Sequence, residues 1–113
     1  MPTKDQSLNR TLHVIADPTR RRILEALKPK TPASAGKENA LCASDIEARI
    51  HLSQPTISHH MAILEKAGLI QSKKQGQWRW YRRNEGAIRD FTNALKLTLY
   101  PVWKCSKARG RRP

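Results

Sequence analysis

Between positions 53 and 60 the chain reads Ser-Gln-Pro-Thr-Ile-Ser-His-His. Ser53, Gln54, Thr56, Ser58, His59 and His60 put hydroxyl, amide and imidazole groups into one short stretch, each able to donate and to accept a hydrogen bond. Between 73 and 81 comes Lys-Lys-Gln-Gly-Gln-Trp-Arg-Trp-Tyr, whose polar groups are Lys73, Lys74, Gln75, Gln77, Arg79 and Tyr81. Short amide and hydroxyl side chains pair with base edges, and clustered cations neutralise phosphates. Together the two stretches suit recognition of a nucleic-acid duplex, one part reading and the other holding.

Gln54 can pair bidentately with adenine, and the methyl of Thr56 can meet a thymine methyl. Ser53 and the free amides at a helix start suit a phosphate. The two histidines suggest a metal at first sight, but neighbouring helix positions diverge by about 100°. Neither His59 nor His60 has an acid or a second histidine four residues on, so no metal site is expected there. His60 lies nearer the apolar stripe and reads equally as a packed histidine. No cofactor motif is visible.

These groups need a helix and a hairpin to carry them. Ser53 reads as the cap of a helix with Ile57, Met61 and Leu64 along one face, and Gly68 as its left-handed stop. Strands are expected over 69–74 and 77–83. Trp78 and Trp80 then share one face, while Arg79, Tyr81 and Arg83 share the other. The tryptophans are expected to pack the strands onto the helices, leaving Tyr81 for a phosphate backbone. Upstream, helices are expected over 7–16 and 19–27, the second opened by Asp17-Pro18. Its run Arg20-Arg21-Arg22 reads as a mainly solvated face, with one arginine near a phosphate. Residues 28–39 form a polar excursion with two prolines and a glycine. Ser44 and Glu47 read as a capping box that starts a short helix to Ile50. A last helix over 85–100 carries Ile88, Phe91, Leu95, Leu97, Leu99 and Tyr100, an apolar surface wider than one small core needs.

The predicted fold class is therefore mainly α with a two-stranded β-hairpin wing, in the order α-α-α-α-β-β-α. One domain is expected over 1–103, and a short basic tail over 104–113.

The chain has 113 residues and a net charge of +13. Such a balance points to a polyanion, nucleic acid before an anionic membrane. The excess is uneven. Residues 69–84 carry +5 and so does the tail, whereas 41–68 sum to −1. A nearly neutral reading helix followed by a cationic hairpin fits separate reading and holding elements. Residues 1–16 lack the pattern of a signal peptide, and no apolar run approaches the roughly 20 residues of a membrane span. Two cysteines, Cys42 and Cys105, make no disulfide framework, so a cytoplasmic location is expected.

With these residues in view, the chain resembles the ArsR/SmtB family of bacterial winged-helix transcriptional repressors. The resemblance rests on Ala16-Asp17-Pro18-Thr19-Arg20, on 52–60, on 64–70, and on Trp78-Arg79-Trp80-Tyr81-Arg82. It covers about residues 8–100 and is specific in combination. It implies a winged helix-turn-helix, a homodimer joined through the first and last helices, and repression of an operator until an inducer binds. Metal- or metalloid-sensing members of that family carry Cys-x-Cys-Asp ahead of the reading helix. Here the stretch is Cys42-Ala43-Ser44-Asp45, with Ser44 in place of the second thiol. Zinc-binding members use Asp and His on the last helix, and this chain has Asp90 but no histidine after His60. A third group responds to oxidants through two cysteines, which makes Cys42 and Cys105 a candidate redox switch. Inert cysteines, a thiol switch and a metalloid site all stay open, and the inducer is unknown.

The expected function is thus a sequence-specific double-stranded DNA-binding regulator and not an enzyme. The alternative is a non-specific architectural DNA-binding protein led by the wing and the tail.

Overall fold

The computed structural model describes residues 4–29 and 40–101. Eight elements follow in order: α1 (Lys4–Ile15), α2 (Pro18–Ala26), β1 (Leu41–Cys42), α3 (Ala43–Ile50), α4 (Gln54–Lys66), β2 (Ile70–Gln75), β3 (Trp78–Arg83) and α5 (Glu85–Leu99). The excursion over 28–39 and the tail over 104–113 fall almost wholly outside the described residues.

The core is aliphatic. Ile23, Ile46, Ile57 and Leu64 are fully enclosed, joined by Val14, Leu27, Ile50, Met61, Leu69 and Ile70. One residue or more from each of α1, α2, α3, α4 and β2 enters this cluster, so the helices and the wing base share one interior. α2 starts where Asp17 accepts from the Thr19 amide at 2.7 Å, with Pro18 in the first turn.

Arg21 and Arg22 are exposed, as expected of most of the arginine run, yet all three arginines also bond to helix-end carbonyls. Arg20 and Arg21 reach back to the carbonyls of Val14 and Ile15, at 3.3 and 2.6 Å. Arg22 donates to the carbonyl of Ile50 at 3.3 Å, and Arg49 to that of Ala26 at 3.4 Å. Each acceptor lies in the last turn of a helix, where carbonyls lack helical partners and the dipole favours a cation. The arginines therefore close helix ends and lock the corners between α1, α2 and α3.

The start of α3 also differs from expectation. Its cap is Cys42, two residues earlier than Ser44. Asp45 takes the reaching-back role, accepting from the Cys42 amide at 3.4 Å. The backbone turns at Cys42 because Leu41 and Cys42 are held as a strand. They pair with Tyr81 and Trp80 of β3. The sheet accordingly has three antiparallel strands in the order β1-β3-β2, and the wing hairpin has a short third strand that no periodicity announces.

α3 ends at His51, whose φ of 65° is left-handed. Its amide still bonds to the Glu47 carbonyl at 2.8 Å, and α4 follows after Leu52 and Ser53. α4 ends at Gly68, with φ of 83° and paired bonds from Gly68 to Glu65 and from Leu69 to Leu64, the arrangement of a Schellman stop. At the hairpin tip Gly76 adopts φ of 64° at the first of two loop residues, a conformation glycine takes without strain.

β3 alternates as expected, but its faces are reversed. Tyr81 packs on the core, and Arg83 points inward to the Leu24 carbonyl at 3.2 Å and to Glu85 at 2.9 Å. Trp78 is 52 % exposed on the opposite face, and Trp80 is half-buried there. Ile70 fixes the choice: it is enclosed and sits opposite Arg83, so the face shared by Ile70, Tyr81 and Arg83 must turn inward.

Asn84 ties α5 to the end of α4. Its Oδ1 accepts from the Ala87 amide at 3.2 Å, and its Nδ2 donates to the Gly68 carbonyl at 3.1 Å. No residue of α5 is buried, and Leu97, Leu99 and Tyr100 are largely exposed.

The Asp17 cap gives a pH-dependent prediction. The Thr19 amide holds its carboxyl below the ordinary value of 3.8, helped by Arg20. A lowered folded value means that the cap stabilises fully above 3.8 and is lost as pH falls through the lowered value. Asp17→Ala should lower the melting temperature at pH 7, and the gap to the parent should narrow below pH 3.8. Thermal unfolding followed by circular dichroism at pH 7 and pH 3 checks this, and a constant gap would reject it.

Candidate nucleic-acid interface

α4 turns Ile57, Met61 and Leu64 into the core, and this fixes what remains outside. Ser53, Gln54, Thr56, Ser58 and His59 are exposed. The first turn is thereby left polar and accessible, the end by which helix-turn-helix proteins address base edges. Ser53 is the cap residue, yet its hydroxyl bonds to Thr56 Oγ1 at 2.9 Å and not to the helix amides. Capping by the Ser53 side chain, as expected from sequence, is replaced by a hydroxyl pair.

His60 differs from its neighbours. It is half-buried, and its Nδ1 accepts from Arg20 Nε at 3.1 Å. A guanidinium only donates, so Nδ1 must be bare and the neutral ring carries its proton on Nε2. Arg20 also donates to Val14, so one side chain joins the end of α1 to the middle of α4. Nothing in the spacing reveals this contact, since the partners lie 40 residues apart. The sequence analysis named Arg20 but not its contact with His60.

On the wing, Lys73, Lys74, Gln75, Gln77 and Arg79 are exposed around the tip. Lys74 sits opposite Arg79, and Lys73 opposite Trp80. Two cations therefore lie side by side on one face, and Lys73 stands on the other with Trp78 and Trp80. Tyr81 is set back from the rest. Burial raises the pKa of its hydroxyl, partly offset by the nearby Arg79 cation.

Cys42 is 8 % exposed. Its Sγ lies 3.1 Å from the Ser44 hydroxyl and 3.2 Å from Asp45 Oδ2. Cys105 lies outside the described residues. Among the described residues no three His, Cys, Asp or Glu side chains gather as a metal site would require. No helix among them is long and apolar enough to cross a membrane.

Residues 17–72 match the model of the bacterial regulatory protein family arsR, a span from the α2 cap into β2. The transcriptional repressor SdpR of Bacillus subtilis (strain 168) is 35 % identical over 86 residues, covering 76 % of this chain and 86 % of that protein. The chain belongs to the arsR family. The arsenical resistance operon repressor of Staphylococcus aureus is 33 % identical over 100 residues, covering 88 % of each. The fold matches the homodimeric winged helix-turn-helix DNA-binding domain solved from Mycobacterium bovis. That match has a TM-score of 0.61 at 18 % identity, over 95 % of this chain and 86 % of that one. This arsR-family chain is a sequence-specific DNA-binding transcriptional regulator with a winged helix-turn-helix, and α4 with the β2–β3 hairpin is its candidate DNA surface.

The Arg20 contact has a spectroscopic consequence. In the parent, His60 should show the Nε2–H tautomer at a pH where the ring is neutral. Arg20→Ala should leave a tautomer mixture. Nitrogen-15 shifts of the imidazole read the difference directly, and an unchanged ring signature would show that Arg20 does not set the tautomer.

Proposed function

We propose that the chain represses transcription as a homodimer on operator DNA in the cytoplasm, acting by binding alone. The observation that carries this reading is the first turn of α4. Gln54 and Thr56 stand exposed there, with Ser58 exposed in the next turn, on a helix whose opposite face is anchored in the core. In this reading Ser53, Gln54, Thr56, Ser58, His59 and His60 face the major groove and its flanking phosphates. Lys73, Lys74, Gln75, Gln77 and Arg79 grip the backbone beside it, with Tyr81 at the edge. The repressor names of its relatives support the direction of regulation.

The uncovered apolar face of α5 supports dimerisation, together with the homodimeric neighbour from Mycobacterium bovis. Joining α1 and α5 to those of a second copy would place two α4 helices on half-sites about one helical turn apart, roughly 10 bp. Release comes from an inducer, or from oxidation at Cys42 and Cys105.

The test is selection of bound genomic fragments by the full chain, followed by affinity for a selected fragment against a mixed-sequence duplex. A specificity ratio of about 10³ or more is expected. A ratio near one would favour the architectural alternative. On the selected fragment, Gln54→Ala should cost about 1–3 kcal/mol and relax base preference at one position per half-site. Equal loss on every sequence would remove Gln54 as a reader. Lys73→Ala and Lys74→Ala should each weaken binding to all duplexes and flatten the salt dependence by about one unit. An unaltered slope would exclude that lysine as a phosphate contact.

A further inference from the structure

The wing and the reading helix are joined by a polar relay that neither function yet uses. Ser72 Oγ donates to Glu65 Oε2 at 2.7 Å, and Arg79 Nη1 donates to Ser72 Oγ at 3.0 Å. The three residues belong to three elements: Glu65 to the last turn of α4, Ser72 to β2 and Arg79 to β3. The hydroxyl has one proton, and the carboxylate takes it. Its oxygen is then turned toward the guanidinium, so the relay runs in one direction, from Arg79 through Ser72 to Glu65.

Glu65 is out of place by charge. It is the sole acid of α4, and no acid follows it until Glu85. A carboxylate beside a phosphate-binding wing opposes anion binding. An exposed network of this kind adds little to folding stability. What it does change is the freedom of Arg79. A long cationic side chain loses rotamer entropy when it is fixed, and a side chain already held loses less on docking.

We propose that Ser72 and Glu65 are positioning residues for DNA binding. They hold the Arg79 guanidinium at a set place beside α4, so that helix and wing meet one duplex as a single surface. This rests on the wing holding phosphate or groove oxygens, as assigned above.

The experiment is a double-mutant cycle on the full chain, with a selected genomic fragment as the probe and fluorescence anisotropy as the readout. Arg79→Ala should weaken binding about tenfold, and Ser72→Ala about fivefold. In the Arg79→Ala background, Ser72→Ala should add less than about a twofold loss, because the group it positions is gone. Ser72→Thr keeps the hydroxyl and should bind within about twofold of the parent. Glu65→Gln removes the charge that fixes the relay, so its effect should likewise vanish once Arg79 is absent. The same fivefold loss with and without Arg79 would overturn the positioning role while leaving the wing contact intact. No loss from Arg79→Ala would overturn the wing contact itself, and the inference with it.

Discussion

Ile57 and Leu64 are fully enclosed and Met61 nearly so, and the orientation of α4 follows from burying that stripe. The three side chains sit on successive turns of one face, each worth roughly 1.5–3 kcal/mol in burial. Turning the helix would expose them, so the polar side chains between them are held outward. Gln54, Thr56 and Ser58 need no contacts of their own to face solvent; the core places them. The same stripe meets Ile23, Ile46 and Ile70, which seats α2, α3 and the wing against α4. Specific reading of a groove requires side chains that do not wander, and here rigidity comes from behind the surface.

The charge has two uses that net charge cannot separate. Arg20, Arg21, Arg22, Arg49 and Arg83 each donate to a main-chain carbonyl in the last turn of α1, α2 or α3. These guanidiniums satisfy acceptors that water or caps would otherwise serve, and they tie three helices together. They still contribute to the long-range field that draws a polyanion. Their forks, however, are engaged within the protein. On the hairpin, by contrast, Lys73, Lys74 and Arg79 stand exposed without a main-chain carbonyl partner among the hydrogen bonds of the helical body.

Much of this was legible in the sequence. The apolar stripe of α4, the Asp17-Pro18 start, the Gly68 stop and the hairpin follow local rules that the structure obeys. What was missed depends on contacts distant along the chain. Period-two alternation in β3 says that Trp78 and Trp80 share a face, but not which face turns inward. The enclosed Ile70 on the partner strand decides that. Strand β1 is two residues long, too short for any periodicity, and exists only because β3 has an open edge. Its presence moved the α3 cap from Ser44 to Cys42. The link from Arg20 to His60 crosses 40 residues and left no local trace. In the reading surface, residue types were visible from sequence. Which of them are exposed was not.

Cys42 shows how tightly these elements depend on one another. Its backbone pairs with Trp80 in β3, its position caps α3, and its sulfur sits within hydrogen-bond range of Asp45, which in turn accepts from its amide. A single residue is thus the join between the wing and the helix that precedes the reading helix. The join is nearly closed to solvent, with 8 % of the residue exposed. Any displacement of the cap must move the edge strand, and with it the register that holds Trp80 and Tyr81. Partway along β2 the wing is tied to α4 through Ser72 and Glu65, and its base through Asn84 and Gly68. The hairpin is therefore attached at three places to the helices it works with. A wing so attached is coupled to α4, and the spacing between the exposed polar groups of the helix and the cations of the hairpin becomes a property of the fold.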